Sequence, residues 1–140
     1  MKFEAHGQFD FSVKNHVLIV EARGPFNLEA ARTFEVGVKK TVTTYLAGVK
    51  WAMLARLHGD GIYTPDSLPL LQSLHLWRIK HGLRRIAIVF AQPESKAISS
   101  VIETQFNKVY QASDADICLQ RFFDTDQEAQ AWLSEEGYPC

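Results

Sequence analysis

Apolar and polar residues alternate singly near the start of the chain. In "QFDFSVKNHVLIVEARG", Phe9, Phe11 and Val13 are separated by Asp10, Ser12 and Lys14, and a second apolar run follows a short polar break. A period of two places every other side chain on one face of a pleated strand, so the pattern predicts a β-hairpin turning near Lys14 to His16. The period then lengthens. After Gly24 and Pro25, Asn27 stands where it can cap a helix, and Ala31, Phe34, Val38, Val42 and Tyr45 recur at three- and four-residue spacing towards a stop near Gly48.

"KWAMLARL" is a short apolar run of strand length, and the loop "LHGDGIYTPDSLPLL" follows it. From Pro65 onward Leu70, Leu71, Leu74 and Trp77 mark one helical face, and Lys80, His81 and Gly82 supply the cations and the glycine that end a helix near His81. "RRIAIVFA" reads as a strand, with Ile86, Ile88 and Phe90 alternating with Ala87 and Val89. Pro93 opens a third helix, whose Ile98, Val101, Ile102, Gln105, Phe106 and Val109 keep a helical period up to Tyr110. "DICLQRFF" predicts a last strand. Thr125 and Glu128 in "TDQE" have capping-box spacing for a last helix buried through Ala129, Trp132 and Leu133.

The order β-β-α-β-α-β-α-β-α predicts an α/β fold, a βα superhelix built on a mixed five-stranded sheet, with a hairpin first and parallel strands joined by right-handed crossovers after it. Asp10, Ser12, Lys14, Glu21, Arg23, Arg56 and Gln120 interrupt four of the strands. A sheet covered on both sides has nearly continuous apolar strands, so the interruptions predict helices mainly on one face. The other face would mix these polar groups with Ile19, Leu54, Val89 and Phe122, an arrangement suited to a partner or a second copy of the chain.

The opening hairpin, "KWAMLARL" before a helix-starting loop, "RRIAIVFA" and the ending "RFFDTDQEAQAWL" resemble the STAS-like or SpoIIAA-like domains, the fold of bacterial anti-sigma-factor antagonists. The ending is close to the F-(D/S)-x-x-x-x-A-x-x-WL tail of the SpoIIAA-like branch. The likeness spans nearly the whole chain, and its motif is a strand-to-helix junction that carries no chemistry. It implies a βα superhelix with successive strands adjacent and helices stacked on one side. Some members of the family act by protein contact and are switched by phosphorylation of a serine at the start of the second helix, in a D-S-S-G type motif. The comparable positions are Asp66 and Ser67 in "TPDSLPLL", where Leu68 and Pro69 replace the second small residue and the glycine. The branch is also similar in fold to lipid-binding CRAL-TRIO domains, which implies a small apolar ligand as the other possibility.

The loop before the second helix holds the candidate site residues Gly59, Asp60, Gly61, Thr64 and Ser67. A helix N-terminus exposes unpaired N–H groups, and glycines let a ligand approach the backbone, so the loop is a candidate for an anion or for phosphorylation. The plain alternative is a turn and cap: Thr64 accepts N–H bonds, Pro65 takes the first helical position, and Asp66 complements the dipole. Neither the P-loop pattern nor a dinucleotide fingerprint is present, and no cofactor is expected. His58 and Asp60 form a possible acid–base pair without a nucleophile in a recognised context. His75 and His81 are too far apart for the four-residue metal spacing, and His6 and His16 flank the hairpin, so no metal site is expected.

Composition narrows the classes further. The 140 residues fit one domain spanning 1–140, and a hydrophobic fraction of 46% fits a globular chain. With 15 basic and 16 acidic residues there is no basic excess for nucleic acid. The one dense basic cluster joins Arg78, Lys80, Arg84 and Arg85, at a helix end where cations are usually solvated. No stretch has signal-peptide character or approaches the roughly 18 apolar residues of a membrane span, so a cytoplasmic location is the default. Cys118 and Cys140 allow no disulfide framework; the first is expected to be a small buried hydrophobe and the second an exposed thiol. Trp51, Trp77 and Trp132 are expected in the core. The expected function is a non-enzymatic regulatory or interaction module that works through protein contact and self-associates. The alternative is a protein that binds a small apolar or anionic, lipid-like ligand with the Gly59 to Ser67 loop as one wall.

Overall fold

The alternating segment forms the hairpin: β1 (Gln8–Lys14) and β2 (Val17–Arg23) pair antiparallel in the computed structural model, which describes residues 8–110 and 116–140. Asn15 in the turn has φ 54°, a left-handed conformation that asparagine tolerates better than most residues. The chain continues through α1 (Leu28–Tyr45), β3 (Trp51–His58), a 3₁₀ turn over Pro65–Ser67, α2 (Leu68–Lys80), β4 (Leu83–Phe90), α3 (Pro93–Ala97), α4 (Ser99–Val109), β5 (Leu119–Phe123) and α5 (Asp126–Glu135). The sheet order is β1-β2-β3-β4-β5, with every pair after the first parallel, so the predicted mixed α/β sheet is the observed one.

Two of the predicted caps form as expected. Asn27 Oδ1 accepts from Ala30 N at 2.8 Å, and Thr125 Oγ1 accepts from Glu128 N at 3.2 Å. The third helix differs from its prediction: Ile98, at φ −116° and ψ 24°, divides it into α3 and α4. No glycine marks that break in the sequence. The last strand is shorter than predicted, beginning at Leu119, and Cys118 is fully buried just before it.

Helices lie mainly on one face. Ala30, Val38 and Val42 of α1, Leu74 of α2 and Ile102 of α4 cluster over Leu18, Val20, Met53, Ala55, Ile86 and Ile88 of the sheet. The opposite face carries α5, whose Ala129, Trp132 and Leu133 cover Val17, Ala52, Leu54, Ala87, Val89 and Phe123. This corrects part of the expected open surface. Gln120 and Phe122 pair with Ile86 and Ile88 and therefore belong to the side under α1, α2 and α4, while Leu54 and Val89 are only 0% and 2% exposed beneath α5. Alternation shows which residues share a face, but Phe122 and Phe123 are both apolar and do not show which face is which. Of the four apolar groups, Ile19 and Phe122 remain partly exposed, and of these two only Ile19 is on the α5 side. The uncovered area is thus the outer face of the hairpin, and it is mostly polar.

Candidate functional site

The loop after β3 lies beside the end of β2 and is tied into the fold along its backbone. Gly24 N donates to His58 O at 3.0 Å, Phe26 N to Ile62 O at 2.8 Å, and Thr64 N to Phe26 O at 2.8 Å. Gly59 N donates to Gln92 Oε1 at 3.1 Å, and Gln105 binds both the N–H and the carbonyl of Tyr63 at 3.2 and 3.0 Å. Gly59 and Gly61 each have φ +69°, and a Cβ on Gly59 would stand 2.9 Å from Gly24 O, so the glycines serve a tight crossing of two chain segments.

The structure brings Gly59, Asp60 and Gly61 together at this crossing, where Asp60 Oδ1 accepts from Ile62 N at 3.1 Å. Thr64 is exposed but caps no helix with its side chain; its hydroxyl is 2.6 Å from Asp66 Oδ1 and 2.9 Å from Ser67 Oγ. The expected helical start at Pro65 is a single 3₁₀ turn, in which Ser67 N donates to Thr64 O at 3.0 Å. Ser67 is fully buried, so a modifying enzyme would reach it only after that turn opened. Most backbone donors an anion would use here are already engaged.

His58 does not pair with Asp60. Its Nε2 lies 2.9 Å from Glu21 Oε1, and Glu21 Oε2 accepts from Arg56 Nη1 at 2.8 Å. Arg56 Nε also donates to Asp126, which accepts from Gln130 as well. Asp126 is held below its ordinary carboxylate range: burial alone raises it, and the bonds from Arg56 and Gln130 more than offset that. These contacts fasten the start of α5 to β2 and β3. Among the described residues no group of histidine, cysteine or acidic side chains is arranged to hold a metal ion, and His6 lies outside the described residues. The basic cluster is dispersed rather than a patch. Arg85 pairs with Glu136 at 2.8 Å, Arg84 donates to the carbonyls of Ile79 and Leu83, and Arg78 is buried.

That last residue is what the sequence reading missed. The predicted inner face of the second helix was Leu70, Leu71, Leu74 and Trp77, whereas the buried residues of α2 are Leu74, His75 and Arg78. Trp77 is half-buried, stacked on His81 with ring centroids 4.0 Å apart, while Trp51 and Trp132 are in the core as expected. Leu71, Leu74, His75 and Arg78 share one face at i, i+3, i+4 and i+7, so the spacing that identifies Leu74 as core also identifies Arg78.

Beneath this face is a cavity of about 100 Å³. Met53 and Ala55 of β3 and Ile86 and Ile88 of β4 form its floor, with Phe34, Leu71 and Phe106 above. Ala22, Ala31 and Ala55 line it where larger side chains would fill the space. Tyr63 and Leu57 extend the wall to the glycine loop. Arg78, only 6% exposed, is the one cationic side chain among the described residues of the lining. Its Nη1 is 3.5 Å from Met53 Sδ and its Nη2 is 3.3 Å from His75 Nδ1, while Nε has no hydrogen-bond partner among the described residues.

Burial pushes Arg78 down to about 10, against the opposing influence of Cys118 nearby, so it remains a cation near neutral pH. Burial, followed by the charge of Arg78, pushes His75 down to about 4. His75 is therefore neutral at pH 7, with Nδ1 accepting from Arg78. Tyr63 is raised above its ordinary value by burial and also stays neutral. Cys140, expected to be exposed, is half-buried against the α5 cluster, and its thiol is likewise raised by burial.

No protein-family model matches the chain, and no curated protein matches it. Among solved structures it is similar to the NMR structure of the protein TM1081, with 16% identity, a TM-score of 0.56, and coverage of 96% of this chain and 94% of that one. A likeness at that identity bears on the α/β fold. No described helix is long and apolar enough to cross a membrane.

Proposed function

We propose that this chain is a non-enzymatic STAS-like binding module that holds a small apolar ligand between its sheet and the helices α1, α2 and α4. The observation that carries this reading is the cavity of about 100 Å³ within the buried apolar cluster between sheet and helices. Closely packed interiors leave few voids larger than a water molecule, and an apolar void of about 150 Å³ is known to take up benzene. The SpoIIAA-like resemblance, with its lipid-binding relatives in fold, supports the same reading. The glycine loop contributes through Tyr63 rather than as an anion site.

Protein contact is the second reading, and one feature favours it: β1 is an edge strand whose outer side has no neighbouring strand among the described residues. Native mass spectrometry of freshly purified protein separates the two. A retained small mass on the monomer, absent from an Ala55→Leu variant whose added volume fills the floor, is the expected result. A clean apo monomer, with no uptake of benzene or octanol when these are added, would overturn the ligand reading. A clean apo dimer would favour the contact reading instead.

A further inference from the structure

We propose that the ligand is a small apolar monocarboxylate whose carboxylate is gripped by Arg78. This inference rests on the cavity reading and names the chemistry of its occupant. A guanidinium offers five N–H donors in a planar fork, and Arg78 engages a thioether sulfur and a neutral imidazole with two of its nitrogens. Neither partner carries the compensating negative charge. The carboxylates that pair with arginines elsewhere, Glu21 and Asp126 with Arg56 and Glu136 with Arg85, are already committed to those partners.

A buried cation without an anion is costly, and a carboxylate accepting two N–H bonds from one guanidinium is the strongest compensation available to it. The unpartnered Nε is one edge of that fork, and the rest of the wall is almost entirely hydrocarbon. One cation balances one monoanion, and apolar walls exclude a second charged group. Volume limits the body to a short alkyl chain or a single ring.

The test compares octanoate with octanol, and benzoate with benzyl alcohol, by calorimetry on the full chain. Each carboxylate is expected to bind about tenfold or more tightly than its alcohol, because hydrogen bonds to charged groups exceed neutral ones. Arg78→Met keeps the volume and removes the charge. It is expected to bind the alcohols as before, to lose the preference for carboxylates, and to melt no lower than the wild type. Equal or tighter binding of the alcohols by the wild type would overturn the carboxylate assignment while leaving the cavity reading intact. Failure of all four compounds to bind would overturn both. Octanoate binding in Cys118→Ala alone would show that the Cys118 thiolate already neutralises Arg78, and would also overturn the assignment.

Discussion

Arg56 and Arg78 lie on opposite sides of the same sheet and illustrate two ways of accommodating one charge. Arg56 projects towards α5, is partly exposed, and has carboxylates from Glu21 and Asp126 on its guanidinium; the bond to Asp126, and then that to Glu21, hold it charged against some desolvation. Arg78 lies beneath α2 with almost no exposure and has a sulfur and a neutral imidazole for company. The charge on the α5 side is balanced within the chain and closes a structural contact. The charge on the cavity side has no carboxylate partner among the described residues, in a lining that is otherwise mostly apolar.

If the two faces are independent supports, truncating each should show it. Leu74→Ala on the cavity side and Leu133→Ala beneath α5 remove fully buried leucines, and each is expected to cost about 3 kcal/mol in denaturant unfolding. The sheet separates the sites, so the double variant should lose about 6 kcal/mol, within about 0.5 kcal/mol of the sum. A much larger or smaller combined loss would mean that the faces communicate through the sheet, and the contrast between them would have to be redrawn.

Acid should affect the cavity side first. His75 has an ordinary value of 6.5 when unfolded and about 4 in the folded chain, so the unfolded state takes up its proton earlier. Its contribution is complete above 6.5, falls as the pH drops from 6.5 towards 4, and then levels off. The slope cannot exceed the single-proton limit of about 1.4 kcal/mol per pH unit, because His75 takes up only one proton. Denaturant melts at half-unit pH steps measure this, and His75→Gln is expected to flatten that interval. An unchanged slope in the variant would place the titration elsewhere.

Much of this architecture was readable because its signals are local. Asn27 and Thr125 announce their helices within one turn, and the alternation from Phe9 to Val13 needs only neighbouring residues. The crossing of Gly24 by Gly59 depends on chain segments far apart in sequence, and the break at Ile98 has no glycine or proline beside it to announce it. Arg78 was hidden for a different reason. Beside Lys80, Arg84 and Arg85 it reads as part of a basic helix end, and only its position three and four residues beyond His75 and Leu74 places it inside. Glycines and hydroxyls drew attention to the loop from Gly59 to Ser67, yet most of those groups bond to the protein itself, while the cavity is made of alanines and other apolar residues that no motif marks.

The smallest effect belongs to the α5 side. Asp126 sits below the ordinary carboxylate range, so its contribution is present above its unfolded value near 4 and is lost as the pH falls through the lower folded value. Asp126→Asn removes that titration and weakens the link between α5 and Arg56, but the pair is partly exposed and screened, so the loss at pH 7 should not exceed about 1 kcal/mol. Below pH 4 the difference between variant and wild type should shrink, because the wild-type carboxylate is then being neutralised too. At 1 M salt it should shrink at neutral pH as well, since exposed ion pairs are screened over distances of about 3 Å. A loss at pH 7 that persists unchanged at low pH and high salt would show that Asp126 acts through its hydrogen bonds to Gln130 and Arg56 rather than through charge. Arg56 would then be held on its side of the sheet by geometry instead of by the balance of charge that distinguishes it from Arg78.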